Sequence, residues 1–219
     1  MSNVTSPITL TKRFAAPAGR PQPLAFHDGT LWVGCWDTSR VYAVDPLAGI
    51  VREEHAAPGK PFGLTWYRGA LRAVVSDGGD ADDRYFYTLV PGSGFDLASK
   101  TACPDFTGSH LAADGDTLYL GQMHEKRVLA LDAAGTIIRE IALPTPCGGI
   151  GIGAGTSYVI SADSEFEDLT LATFPLADAH PKLTPVGALP PESRGLAFDG
   201  VAWWTSLREA NEIATFTLR

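Results

Sequence analysis

Pro23-Leu24-Ala25-Phe26-His27-Asp28-Gly29-Thr30-Leu31-Trp32-Val33 sets an apolar run, an Asp-Gly turn and a second apolar run side by side. Asp-Gly between two such runs is a strong local signal for a hairpin, because both residues tolerate the positive φ that a tight turn demands. The pattern returns at residues 63–72, 110–120, 149–159 and 195–204. Its turn glycines, Gly29, Gly69, Gly115, Gly155 and Gly200, are spaced by 40, 46, 40 and 45 residues. Pro17, Pro58, Pro104, Pro144 and Pro190 form a second ladder in phase with the first, with spacings of 41, 46, 40 and 46.

Two further strand-like segments stand between successive hairpins. Arg40-Val41-Tyr42-Ala43-Val44-Asp45 and, after a turn, Ile50-Val51-Arg52 are one example; Arg127-Val128-Leu129-Ala130-Leu131-Asp132 and Thr136-Ile137-Ile138 are another. Four short strands in a unit of about 44 residues is the signature of a β-propeller blade. Five units fill the 219 residues. The fifth has three strands, at residues 195–198, 201–206 and 212–218, and residues 8–17 resemble the outer strand at 50–58. The sequence therefore predicts a single all-β domain over 1–219, a five-bladed propeller whose N-terminal strand completes the last blade. Joining the chain ends in this way removes an open sheet edge.

Composition narrows the function. Hydrophobic residues are 45% of the chain and charged residues 19%, enough for a core. The net charge of −8 argues against a nucleic-acid partner, which needs clustered Lys and Arg. No apolar run approaches the ~18 residues of a membrane span, and residues 1–5 do not read as a secretory signal. Cys35, Cys103 and Cys147 are odd in number and lack CxxC spacing, which argues against a disulfide framework or structural zinc. The expectation is a monomer in the cytoplasm that binds a small molecule.

The repeated Gly-turn-Leu-aromatic pattern, with strand endings such as Tyr42-Ala43-Val44-Asp45 and Leu129-Ala130-Leu131-Asp132, resembles SMP-30/gluconolactonase-like (NHL-type) propellers. That resemblance implies a lactonase-like hydrolase with a divalent cation. The family's first inner strand opens on Glu-Gly-Pro, whose Glu binds the cation; here the stretch is Gln22-Pro23-Leu24, without a carboxylate. Plant-type glutaminyl cyclases resemble the chain in blade number, but their glutamate-bearing motifs are absent.

In an up-and-down blade the first-to-second and third-to-fourth turns lie on one face, and the remaining loops on the other. The first set here is generic turn chemistry such as Asp114-Gly115 and Asp199-Gly200. The second is varied and polar, and a varied face on a repeat scaffold is where binding sits. Gln22, Phe62, His110, Gly149 and Arg194 are placed at the inner-strand entrances around the channel mouth.

His110, matched against Leu24, Leu64, Ile150 and Gly195, replaces an apolar residue with an imidazole; it reads as a general base or ligand contact, or else as a hydrogen-bonded half-buried side chain. Asp77, Asp80, Asp82 and Asp83 form one acidic cluster, either a Ca²⁺-type oxygen site or a solvated turn compensated by Arg84. Asp163, Glu165, Glu167 and Asp168 form another. Asp37, Asp77 and Asp163 could converge near the axis; Asp77, Asp163 and His110 are the candidate acids, bases or ligands of a divalent cation, Ca²⁺ or Zn²⁺. Arg194 and Arg208 either clamp an anion or neutralise these carboxylates. Trp36 and Phe62 offer surfaces for a flat ligand, and His124 and Gln22 complete the candidate binding set. The glycine run 148–155 is not a nucleotide loop, because no helix follows it. Small-molecule hydrolysis or lyase/isomerase-type proton transfer is the leading expectation. A non-catalytic propeller binding a small ligand or a protein partner is the alternative.

Overall fold

A computed structural model describes residues 6–77, 82–163 and 167–218. Among the described residues, twenty strands form five four-stranded antiparallel sheets. The first blade is β2 (Pro21–His27), β3 (Thr30–Cys35), β4 (Arg40–Val44) and β5 (Val51–Ala56). The second runs from β6 (Lys60–Tyr67) through β7 (Ala70–Ser76) and β8 (Arg84–Val90) to β9 (Gly94–Ala102). The third is β10 (His110–Asp114), β11 (Thr117–Gln122), β12 (Arg127–Leu131) and β13 (Ile137–Ala142). The fourth is β14 (Cys147–Gly153), β15 (Thr156–Ala162), β16 (Leu169–Thr173) and β17 (Thr184–Leu189). The last consists of β18 (Ser193–Phe198), β19 (Trp203–Leu207), β20 (Glu212–Phe216) and, outermost, β1 (Arg13–Ala15). The five-bladed propeller expected from the repeat is thus the fold.

The ring closes as expected, through a shorter strand than residues 8–17. Arg13 pairs with Ala214 and Phe14 with Ile213. The preceding residues reach one blade further: Pro7 makes a parallel bridge to Ala188, and Ile8 N–H donates to the Ala188 carbonyl at 2.8 Å. The N-terminal segment therefore fastens to the outer edges of both the fourth and fifth sheets.

Alternation along each strand sends successive side chains to opposite faces of the sheet, so each blade packs against two neighbours. Leu31, Val33 and Cys35 meet Trp204 and Ile213 of the last blade, whereas Trp32 joins Leu64 and Leu71 of the second. Five apolar clusters fill the five interfaces. Inner strands β2, β6, β10, β14 and β18 contact one another in that order and back to β2. Gly195 marks how tightly the ring closes: at φ +57 it lies so near the first blade that a Cβ would stand 2.4 Å from the Gln22 carbonyl oxygen.

Candidate functional site

A cavity of about 530 Å³ opens at the end where the inner strands begin and their second strands finish. This is the varied face. Two depressions of about 370 Å³ on the other face are lined by turn residues such as Gly155 and Gly29. In four blades the inner strand enters through a register shift, between Pro21 and Leu24, Pro61 and Gly63, Cys147 and Gly149, and Arg194 and Ala197. Such bulges re-aim side chains. Gln22, Phe62 and Arg194 occupy these entrances, Ser109 holds the corresponding place in the third blade, and all four line the cavity.

The pairing corrects the alignment of His110. In the first blade the turn is Asp28-Gly29, because His27 pairs with Thr30; in the third it is Gly115-Asp116, because Asp114 pairs with Thr117. The glycine thus slips by one place, and His110 falls level with Pro23, Gly63, Gly149 and Gly195 rather than with Leu24, Leu64 and Ile150. An imidazole stands where the other blades have proline or glycine. Likewise Ser109 and Gly148, not His110 and Gly149, complete the entrance ring.

Four side chains from three blades make a continuous stack along the cavity wall. The Arg208 guanidinium lies 4.8 Å from the Trp36 ring, the Trp36 and Phe62 rings are 4.4 Å apart, and the Arg84 guanidinium is 3.6 Å from Phe62. The Trp36 indole N–H is fixed by the Pro61 carbonyl at 2.6 Å. Trp36 and Phe62 do line the cavity, but their faces serve one another and the two guanidiniums rather than standing open for a flat ligand. Cation–π contact and planarity hold the forks in defined orientations.

Arg84 was legible from sequence as a compensating charge and emerges as part of the wall. It is 8% exposed. It donates to Asp82 Oδ2 at 2.7 Å and to the Asp82 carbonyl, and its Nε has no hydrogen-bond partner among the described residues. Its hydrogen bond is the main reason that the Asp82 carboxyl is held below the usual range. Lys60 is the further cation at this end.

At the other end Arg208 donates to Gln22 Oε1 at 3.2 Å and to Glu209 Oε1 at 3.1 Å. Arg194 spends one nitrogen on the carbonyls of Ser193, at 2.7 Å, and Pro191, at 3.3 Å. Burial and then the charge of Arg208 depress its pKa. His110 is 3% exposed and lines the cavity. Burial, with Arg194 adding to it, pulls its pKa down to about 3. His124 and Met123 complete this side. Among the described residues, Lys60, Arg84, Arg194 and Arg208 thus face a single lining carboxylate, Asp82, in a protein of net charge −8.

The acidic candidates do not converge. Asp77 accepts the Tyr87 hydroxyl and sits 3.0 Å from Lys100 Nζ, so it turns outward over the third and fourth strands of its blade. Burial and this carboxylate push the Tyr87 hydroxyl up to about 12. Asp163 binds back to its own loop, accepting the Glu167 N–H at 3.0 Å. Asp37 pairs with Arg20. Neither Asp77 nor Asp163 lines the cavity, and no three His, Cys, Asp or Glu side chains gather as a cation site among the described residues. The expected trio of Asp77, Asp163 and His110 is therefore not brought together. Asp80 and Glu165 lie outside the described residues.

No family model and no curated protein matches the chain. Among solved structures, it is similar to a glutaminyl cyclase from Myxococcus xanthus, at 13% identity and a TM-score of 0.71 over 98% of each chain. It is also similar to a PQQ-bound aldose sugar dehydrogenase from Streptomyces coelicolor, at 12% identity and 0.66, covering 97% of this chain and 98% of that one. A virginiamycin B lyase from Staphylococcus aureus matches at 11% identity and 0.56, over 97% of this chain and 100% of that one. These neighbours are enzymes; at such identity the likeness is one of fold.

Proposed function

We propose that this chain is a small-molecule enzyme that holds an anionic substrate at the channel mouth and performs lyase- or isomerase-type proton transfer with His110. The observation that carries the reading is the cavity itself: four cations and a buried imidazole line one opening. Its volume suits a small ligand. Burial, and after it the charge of Arg194, keep His110 neutral, ready to accept a proton but weakly basic. An anion resting on Arg194 offsets the charge that disfavours the imidazolium, so the base strengthens when substrate arrives. Ser109 and His124 line the same cavity and are the groups that would hold or relay the proton. We place this activity in a monomer in a reducing cytoplasm, to which three buried free thiols are suited.

Lactonase-like hydrolysis on a divalent cation is the less favoured branch. Gln22 stands where a metal-binding glutamate would be expected, and its carbonyl side accepts from Arg208. A non-catalytic binding role is the alternative, supported by the burial of His110, which makes it a weak base.

Solvent-deuterium exchange into a bound carboxylate, followed by NMR, separates the readings. Candidate ligands are first found by thermal shift, then incubated with wild type and His110→Gln. Exchange or turnover in the wild type, lost in a variant that still binds, supports the proposal. Binding without exchange in either protein transfers the site to the non-catalytic reading.

A further inference from the structure

The cations of the mouth fall into two groups at opposite ends of the Trp36–Phe62 stack. Arg194 and Arg208 belong to the last blade. Lys60 and Arg84 belong to the second. We propose that the substrate is a compact dianion, with one anionic group seated between Arg194 and Arg208 and the other at Arg84 and Lys60. This rests on the reading of the mouth as a small-molecule site.

Each end has its own pair of cations. Arg194 and Arg208 are close enough to disfavour one another; Glu209 and Glu192 partly offset this, and Glu209, which Arg208 touches, is 66% exposed in its side chain. At the far end one carboxylate among the described residues, Asp82, is shared by Arg84 and, through its charge, Lys60, and the Arg84 Nε has no hydrogen-bond partner among the described residues. A monoanion balances one end and leaves the other. Moreover, the two guanidiniums are already oriented, one on each ring, so the ligand spends little on ordering them. Guanidinium forks match carboxylate and phosphate alike, and the chemistry shared by both ligand types is a pair of anionic groups on a short spacer. Ser109 and His110 line the same cavity, and His110 is near enough to Arg194 to feel its charge, so the group seated at that end lies beside the imidazole.

Isothermal titration tests this without requiring turnover. The probes are the dicarboxylates from malonate to adipate, monocarboxylates of equal chain length, inorganic phosphate, and phosphoglycolate. One chain length of dianion is expected to bind ~10-fold or more tightly than its monocarboxylate, as a second charged hydrogen-bonded contact allows. Tighter binding of phosphoglycolate than of the dicarboxylates assigns one end to phosphate. Arg208→Gln and Lys60→Gln should each reduce the preference for the dianion to near parity. Lys60 is exposed, so its variant keeps the test open if Arg84→Gln fails to fold. Equal binding of monoanions and dianions throughout the series, or a preference untouched in Lys60→Gln, overturns the proposal. Tight dianion binding without turnover removes the catalytic reading and keeps this one; turnover of a monoanionic substrate does the reverse.

Discussion

Substituting His110 should change how the stability of this propeller responds to acid. The imidazole is buried, and its pKa falls from an ordinary 6.5 to about 3 on folding. The unfolded chain takes up this proton below pH 6.5, whereas the native state resists it until about pH 3, so the unfolded state gains on acidification. Stability attached to His110 is therefore fully present above 6.5 and is lost through the interval down to 3. Each unit of that interval is worth about 1.4 kcal/mol, and between pH 7 and pH 5 the loss comes to about 2 kcal/mol. Urea unfolding of wild type and His110→Gln at both pH values isolates the term, since the other titrating groups are common to both proteins. The wild type should lose about 2 kcal/mol more than the variant. In parallel, the His110 ring resonances should not move between pH 8 and pH 5. Equal acid sensitivity of the two proteins, or a His110 resonance titrating near 6.5, would refute the reasoning, because it would mean that water or a carboxylate reaches the ring.

Gly195→Ala should destabilise the fold by about 2 kcal/mol or more, since it combines a left-handed backbone with a Cβ 2.4 Å from the Gln22 carbonyl; chemical denaturation measures this, and a neutral outcome would show that the first and last blades yield there. Removing residues 1–16 exposes β20 along the edge now covered by Arg13, Phe14 and Ala15. Size-exclusion chromatography should then show self-association together with a lower Tm. A stable monomeric truncation would mean that the ring does not depend on its N-terminal strand.

How much of this was legible in the chain depends on whether the determinant is local. Turn chemistry is local: Asp28-Gly29 carries two positive φ angles whatever surrounds it, and strand alternation follows from the pleat. Repeating those two features at a period near 44 residues specified blade number, strand order and ring closure. The same features identified the varied face and singled out His110, Arg194, Arg208, Trp36 and Phe62. One local signal misled: the glycine of the third turn occupies its first position instead of its second, so matching glycines displaced His110 by one residue.

Side-chain direction at the blade corners was beyond the sequence. Trp36, Asp77, Met123, Asp163 and Arg208 all follow the last residue of a second strand, yet three turn into the cavity and two turn away. Asp77 leaves because Tyr87 and Lys100, on later strands of its blade, offer it a hydroxyl and an ammonium. Arg84 enters because Phe62, on another strand, gives its guanidinium a face to lie on. The sequence by itself thus determined the scaffold, whose forces act between near neighbours and repeat five times. Only the tertiary structure decided the chemistry of the mouth, since a carboxylate or guanidinium settles on the best partner within reach, and that partner is set by the closed ring.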